Sequence, residues 1–232
     1  MVARMCDGVD RRIVLLVSDR QPEEERMHAR LQMVRNFPSH LNTPEASGHL
    51  IGVIEGHPGF RGMHLMMQIG SRQGLNLTLW DTREEAEAAP ARTEAAMGPR
   101  PFELDHDAVY DVLTTLNGPA APGAAVACQV SWFDGPRSAA QSEAMRRAGE
   151  ERIRPVVERV AGFIVTYVLS RPEDSSVVLV SLATSTEALE AVTDAVFSTS
   201  LLPGEDPAML TGPDRVEVYR VENQSRSGVP VR

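Results

Sequence analysis

Lysine is missing from this chain: all 23 basic residues are arginine. A lysine Schiff base and a P-loop lysine are thereby excluded. Cysteine occurs only at Cys6 and Cys128. So wide a separation offers neither a disulfide framework nor a Cys-x-x-Cys metal or redox pair, and buried or idle thiols are the ordinary reading. No apolar run approaches the roughly 20 residues that span a bilayer. Met1 to Asp10 carries charges but no apolar leader core of about 7–15 residues, so a soluble, cytoplasmic protein is expected. Net positive charge is lacking too: the formal charge is −9 and the pI near 5.2. That balance weighs against nucleic acid, which needs a basic surface to displace counterions. No Ser-His-Asp ordering, phosphate-cradling glycine loop or dinucleotide fingerprint is legible, which leaves hydrolase, kinase and nicotinamide or flavin chemistry without support.

What the chain does have is an internal repeat. Gly59-Phe60 returns as Gly162-Phe163, 103 positions later, and at the same spacing Leu77, Thr78, Leu79, Thr82, Glu84, Glu87 and Ala88 return as Val180, Ser181, Leu182, Ser185, Glu187, Glu190 and Ala191. A match held in register from strand-like into helix-like residues marks two copies of one supersecondary unit. With 232 residues and 42% hydrophobic content, each copy can bury its own core.

In the first copy, Arg12 to Asp19 reads as a strand. Pro22 and Glu23-Glu24-Glu25 then start a helix through about Val34. The stretch Asn36 to Gly48 is a loop, and His49 to Ile54 a short helical piece. Strands over Phe60 to Gln68 and Leu75 to Trp80 flank a hairpin at Gly70 to Gly74, with Leu75, Leu77 and Leu79 on one face and Asn76, Thr78 and Trp80 on the other. Asp81-Thr82-Arg83-Glu84 opens a helix to about Met97 that Pro90 is expected to interrupt. A strand over Ala108 to Leu113 completes β-α-β-β-α-β. The order returns as strand Val126 to Phe133, helix Ala139 to Val160, strands Phe163 to Ser170 and Val177 to Leu182, helix Thr186 to Phe197 and strand Val216 to Val221. Counted from Asp19 to Gly59 against Asp134 to Gly162, the first copy carries about a dozen extra residues. The second has its own addition, Ser198 to Pro213; long loops of this kind are binding lids or tolerated surface insertions.

The expected fold class is α+β: two tandem ferredoxin-like units, residues 11–116 and 126–223, joined by a Gly/Pro/Ala-rich linker at 117–125, with loose termini at 1–10 and 224–232. Each unit would leave one apolar sheet face uncovered. A second copy in the same chain can cover it, giving an intramolecular α/β barrel.

The segment Gly59-Phe60-Arg61-Gly62-Met63-His64-Leu65, with Leu77-Thr78-Leu79-Trp80-Asp81-Thr82-Arg83-Glu84-Glu85-Ala86, resembles the dimeric α/β-barrel superfamily, in particular its antibiotic-biosynthesis-monooxygenase-like branch. The likeness is sharpest over Gly59 to Ala89 and returns weakly over Gly162 to Ala191. It implies a cavity between sheet and helices, a site at Trp80, and membership of a group that includes cofactor-free oxygenases of aromatic, polyketide-type compounds in secondary metabolism. In haem-degrading relatives a histidine on the following helix ligates iron; Thr82 to Met97 has none, and Arg12 to Asp19 lacks the first-strand Asn of those enzymes. Neither cofactor nor metal is therefore expected. The Lys-free, Ala/Gly/Pro/Arg-rich composition resembles actinobacterial proteins.

All six histidines, His28, His40, His49, His57, His64 and His106, lie in the first unit, which makes that unit the expected seat of any chemistry. His64, within a strand, is the candidate general base near neutral pH; its repeat counterpart is Tyr167. Trp80, Met63, Met66, Asn76, Tyr167 and Trp132 are the candidate substrate-binding residues, the tryptophans for stacking a flat ring and the methionines as adaptable lining. Each has a plainer reading, as a space-filling histidine or as tryptophan and methionine of the core. Two functions stand: a cofactor-independent monooxygenase of a small aromatic molecule, and a non-catalytic small-molecule-binding or structural barrel. Self-association is compatible with both.

Overall fold

The computed structural model describes residues 26–225. The strand expected over Arg12 to Asp19 lies outside them. Within them the order is β1 (His28–Val34), α1 (Pro44–Glu55), β2 (Phe60–Gln68), β3 (Gly74–Trp80), α2 (Arg83–Met97) and β4 (Leu104–Asn117). Then follow β5 (Ala127–Phe133), α3 (Ala139–Arg147), a π-helical stretch (Ala148–Ile153) running into α4 (Arg154–Val157), β6 (Phe163–Arg171), β7 (Ser176–Ala183), α5 (Thr186–Ser198) and β8 (Arg215–Gln224).

The strands form a closed antiparallel barrel in the order β1-β3-β2-β8-β5-β7-β6-β4. The run β4-β1-β3-β2 has the same internal order as β8-β5-β7-β6, so the chain's two parts repeat one topology. They meet edge to edge, β2 along β8 and β4 along β6, leaving no free sheet edge. Alternation then sorts the side chains. Every strand contributes to an apolar interior, including Leu31, Leu75, Leu77, Leu79, Val130, Leu169, Val180, Leu182 and Tyr219. Outside the barrel, α1 and α2 cover one part of the sheet through Ile51, Ile54, Met63, Leu65, Trp80, Ala86, Ala89 and Val109. The outer layer of the second part, under α5, is smaller: Ala127, Ala183, Ala188 and Leu189.

The repeated Gly-Phe has a physical cause. Gly59 (φ 68°) and Gly162 (φ 83°) both occupy the left-handed region, and a Cβ on either would collide with the start of the next helix, at Glu85 or Ala188. Each carbonyl accepts the N–H just past the second strand of the hairpin that follows it, Asp81 to Gly59 at 2.8 Å and Thr184 to Gly162 at 2.9 Å. The paired caps match as well: Thr82 accepts from the Glu85 N–H and Ser185 from the Ala188 N–H.

Two expectations are corrected. The helix read from Pro22 to Val34 is, over His28–Val34, a strand whose Ala29, Leu31 and Met33 point inward. Its Ala, Arg, Leu, Gln and Met favour helix intrinsically, but the period-two burial between β3 and β4 prevails. With β1 ending at Val34, the connection to Gly59 is no longer than that from Phe133 to Gly162, and the first part's supposed surplus disappears. Pro90, in turn, does not interrupt α2, which runs through it to Met97. A proline at 90 has no N–H for the Ala86 carbonyl, and the Arg30 guanidinium takes that place, its Nη1 donating to Ala86 O at 2.9 Å. No helix among the described residues is long and apolar enough to cross a membrane.

Candidate functional site

The residues singled out from the sequence fall on two faces of one sheet. Trp80, Met63 and Asn76 belong to the outer, helix-covered face, whereas Met66, Tyr167 and Trp132 line the barrel interior. His64 is cross-strand from the inward-facing Leu77 and so also points inward. Trp80 and His64 therefore cannot hold one substrate between them, and the expected pairing in the sheet–helix cavity is corrected by strand alternation.

Each is also closely packed. Trp80 is fully buried, its Nε1 donating to Thr78 Oγ1 at 2.9 Å, with Phe60 edge-on at 5.6 Å and the His57 ring 6.3 Å away. Burial pushes the His64 imidazole down to about 4, and its Nδ1 has no hydrogen-bond partner. Trp132 sits at the barrel end, its Nε1 donating to Glu217 at 2.8 Å beneath the Arg215 guanidinium, with His106 edge-on. His106 Nε2 and the Tyr110 hydroxyl are 2.9 Å apart; burial raises the phenol to about 12. Tyr167 is likewise raised by burial.

A different group assembles on the outer face of the first part. His28, at the start of β1, lies between Trp80 on β3 and Asp111 on β4. Its Nδ1 is 3.2 Å from Asp111 Oδ1, within ion-pair distance but not in hydrogen-bond geometry. Arg83, in the first turn of α2, donates from Nη2 to the same oxygen at 2.8 Å. The close approach of the His28 ring first, and then the hydrogen bond and charge of Arg83, outweigh burial and hold the Asp111 carboxyl below its usual range. Were the ring to turn so that Nδ1–H donates to Asp111, Nε2 would be left as the proton acceptor of the ring. The sequence reading placed His28 in a helix and so missed the group; the alternation of His28, Arg30 and Gln32 with Ala29, Leu31 and Met33 was the available signal.

Through Arg83 this group adjoins a hollow of about 410 Å³ lined by Arg30, Arg83, Glu87, Asp107, Arg171 and Glu173, with Ala108 and Val109. Arg83 Nη1 reaches Glu173 at 3.4 Å, on the turn between β6 and β7, so the second part of the chain supplies one wall. The equivalent of the His28 group in the second part is gone: Ala127 stands between Ala183 and Arg220 in the same register. Small alanines against α5 occupy what the first part fills with histidine and tryptophan. No cluster of three or more His, Cys, Asp or Glu side chains suited to a metal ion occurs among the described residues, and α2 carries no histidine.

With this geometry defined, the fold, a closed antiparallel barrel of eight strands with helices outside it, is shared with several solved structures. An anthrone oxidase-like protein is similar over 89% of this chain and 95% of its own, at 19% identity and a TM-score of 0.57. A Fusobacterium nucleatum protein provisionally named a monooxygenase covers 88% and 96% at 7% identity and a TM-score of 0.59. A chlorite dismutase variant from Candidatus Nitrospira defluvii covers 85% and 92% at 8% identity and a TM-score of 0.53. At such identities the likeness is one of fold. No family model matches the sequence, and no curated protein matches it either.

Proposed function

We propose that the protein is a monooxygenase-type oxidoreductase acting on an ionisable aromatic small molecule, with the reactive group in the first of two tandem ferredoxin-like units. The observation that carries this reading is the His28–Asp111–Arg83 group beside an open hollow, in one part of the chain and erased from the other. Structural neighbours named as monooxygenase or anthrone oxidase-like support the reaction class. In this reading Asp111 orients the imidazole and His28 Nε2 removes a proton from an activated ring methylene or phenol, the ordinary task of a carboxylate-held histidine. For an anthrone methylene the resulting carbanion passes its electrons to dioxygen. The hydroperoxide then loses water, so CH2 plus O2 becomes C=O plus H2O, and the substrate itself is the reductant.

The test is oxygen uptake with 1,8-dihydroxyanthrone, corrected for spontaneous oxidation. Replacing His28 by Gln should lower the enzymatic rate by about 10²–10⁴-fold, the usual contribution of general-base catalysis. Equal rates for the variant and the native protein would remove His28 from the reaction. The non-catalytic reading draws on the dense packing around Trp80; it requires ligand binding without oxygen uptake.

A further inference from the structure

The hollow beside the His28 group is built for more than a flat ring. Three of its charged side chains are arginines and three are carboxylates. Some are already committed. Arg30 donates to Asp107 at 2.7 Å and to the Ala86 carbonyl, and Asp107 also accepts from Gln32 at 3.1 Å. The remaining capacity alternates in kind. Arg83 Nη1 has only long contacts, 3.4 Å to Glu173 and 4.0 Å to Glu87, and Arg171, whose Nη2 pairs with Asp174, keeps a buried Nε with no partner. Glu87 and Glu173 are more than half exposed and keep spare acceptor oxygens.

An anion entering here would satisfy the arginines but face three carboxylates, and a cation would meet the reverse. A hydroxyl both donates and accepts, so vicinal hydroxyls match spare donors set beside spare acceptors. The volume lies within the range of small-molecule sites. We propose that this hollow is a subsite for a neutral polyhydroxyl group, such as the glycosyl portion of an aromatic glycoside, and that the end of β6 and the turn after it supply its specificity through Arg171 and Glu173. The subsite deepens the oxygenase reading, on which the assignment of its occupant as part of the substrate rests.

Calorimetric titration of the full-length protein tests it with four probes sharing one ring system: 2-naphthyl β-D-glucoside, 2-naphthol, the anion 2-naphthoate and the cation 2-naphthylmethylammonium. The glucoside should bind about tenfold or more tightly than 2-naphthol, as several hydrogen bonds to charged groups allow. Arg171→Met and Glu173→Ala should each weaken the glucoside about five- to tenfold and leave 2-naphthol unchanged. Tighter binding of either charged probe, equal binding of glucoside and naphthol, or no glucoside binding overturns the proposal. So does insensitivity of the glucoside to both variants while circular dichroism reports native folding. The native-protein comparison decides even where a variant fails to fold. Oxygen uptake separates the two readings. Glucoside preference without uptake sinks the oxygenase and leaves the subsite; uptake without glucoside preference does the opposite.

Discussion

His64 and Asp111 both titrate outside their ordinary ranges, and each links folding to pH. The His64 imidazole is lowered from 6.5 to about 4 by burial. Between those values the unfolded chain binds a proton that the folded chain refuses, so acidification through this window favours unfolding, by up to about 3 kcal/mol. His57 and His106 are also lowered, chiefly by burial, and add to the same slope. Asp111 acts lower on the scale: its depressed carboxyl contributes stability above the unfolded value near 3.8 that is lost as pH falls through its folded value. His64→Leu should therefore flatten the fall in stability between pH 7 and 4.5 by about 2–3 kcal/mol, read from urea midpoints at the two pH values. It should also stabilise at pH 7, because an imidazole with an orphaned Nδ1 is exchanged for an apolar side chain in an apolar interior. An unchanged pH slope would mean that His64 is solvated in the folded protein. Asp111→Asn should lose the stability that the depressed carboxyl contributes and, in the oxygenase reading, also act on turnover: the amide cannot serve as a charged partner for the imidazole, and kcat should drop with little change in substrate affinity.

At the scale of elements, α2 is docked by a pairing that its own sequence creates. Pro90 withholds the N–H that would have served Ala86 O, and Arg30 on β1 reaches across to that carbonyl. Arg30→Met should cost about 1–3 kcal/mol, since Ala86 is buried and its carbonyl would lose its partner. In a Pro90→Ala background the restored N–H can serve the same carbonyl, and the cost of Arg30→Met should shrink by about 1 kcal/mol. A double-mutant cycle by chemical denaturation measures that coupling. Additive effects would show that Arg30 acts through Asp107 alone. The same element shows where sequence reading succeeds and fails. The helix start at Asp81-Thr82-Arg83-Glu84 and the repeated Gly59-Phe60 were legible because each is a local demand for a residue type. The continuation through Pro90 was not, because its compensation comes from another strand. His28 was hidden for a related reason: its neighbours are helix formers, and its partners Trp80 and Asp111 are joined to it only by the register of three strands.

For the whole molecule, the repeat announced a barrel and the strand order supplies the reason that both parts are needed. Taken alone, residues 28–117 would present β2 and β4 as open edges, and residues 127–224 would present β8 and β6. Exposed edges of this length invite pairing with another chain, and the interior leucines and valines would face water. Separate fragments ending and beginning in the 118–126 connection should therefore fail to persist as monomers. Coexpressed, they should reassemble one to one, because β2–β8 and β4–β6 pairing needs no continuous peptide between the parts. Multi-angle light scattering of the copurified fragments gives the ratio, and restoration of oxygen uptake would report the composite hollow, to which Arg171 and Glu173 come from one fragment and Arg83 and Asp107 from the other. Each fragment folding stably as a lone monomer would show that closure is not what holds the sheets. Reassembly without uptake, where the intact chain is active, would place the demand on the connection itself, whose Gly118 and Ala120 N–H groups donate to Ile164 and Phe163 and so fix how the second part enters the barrel.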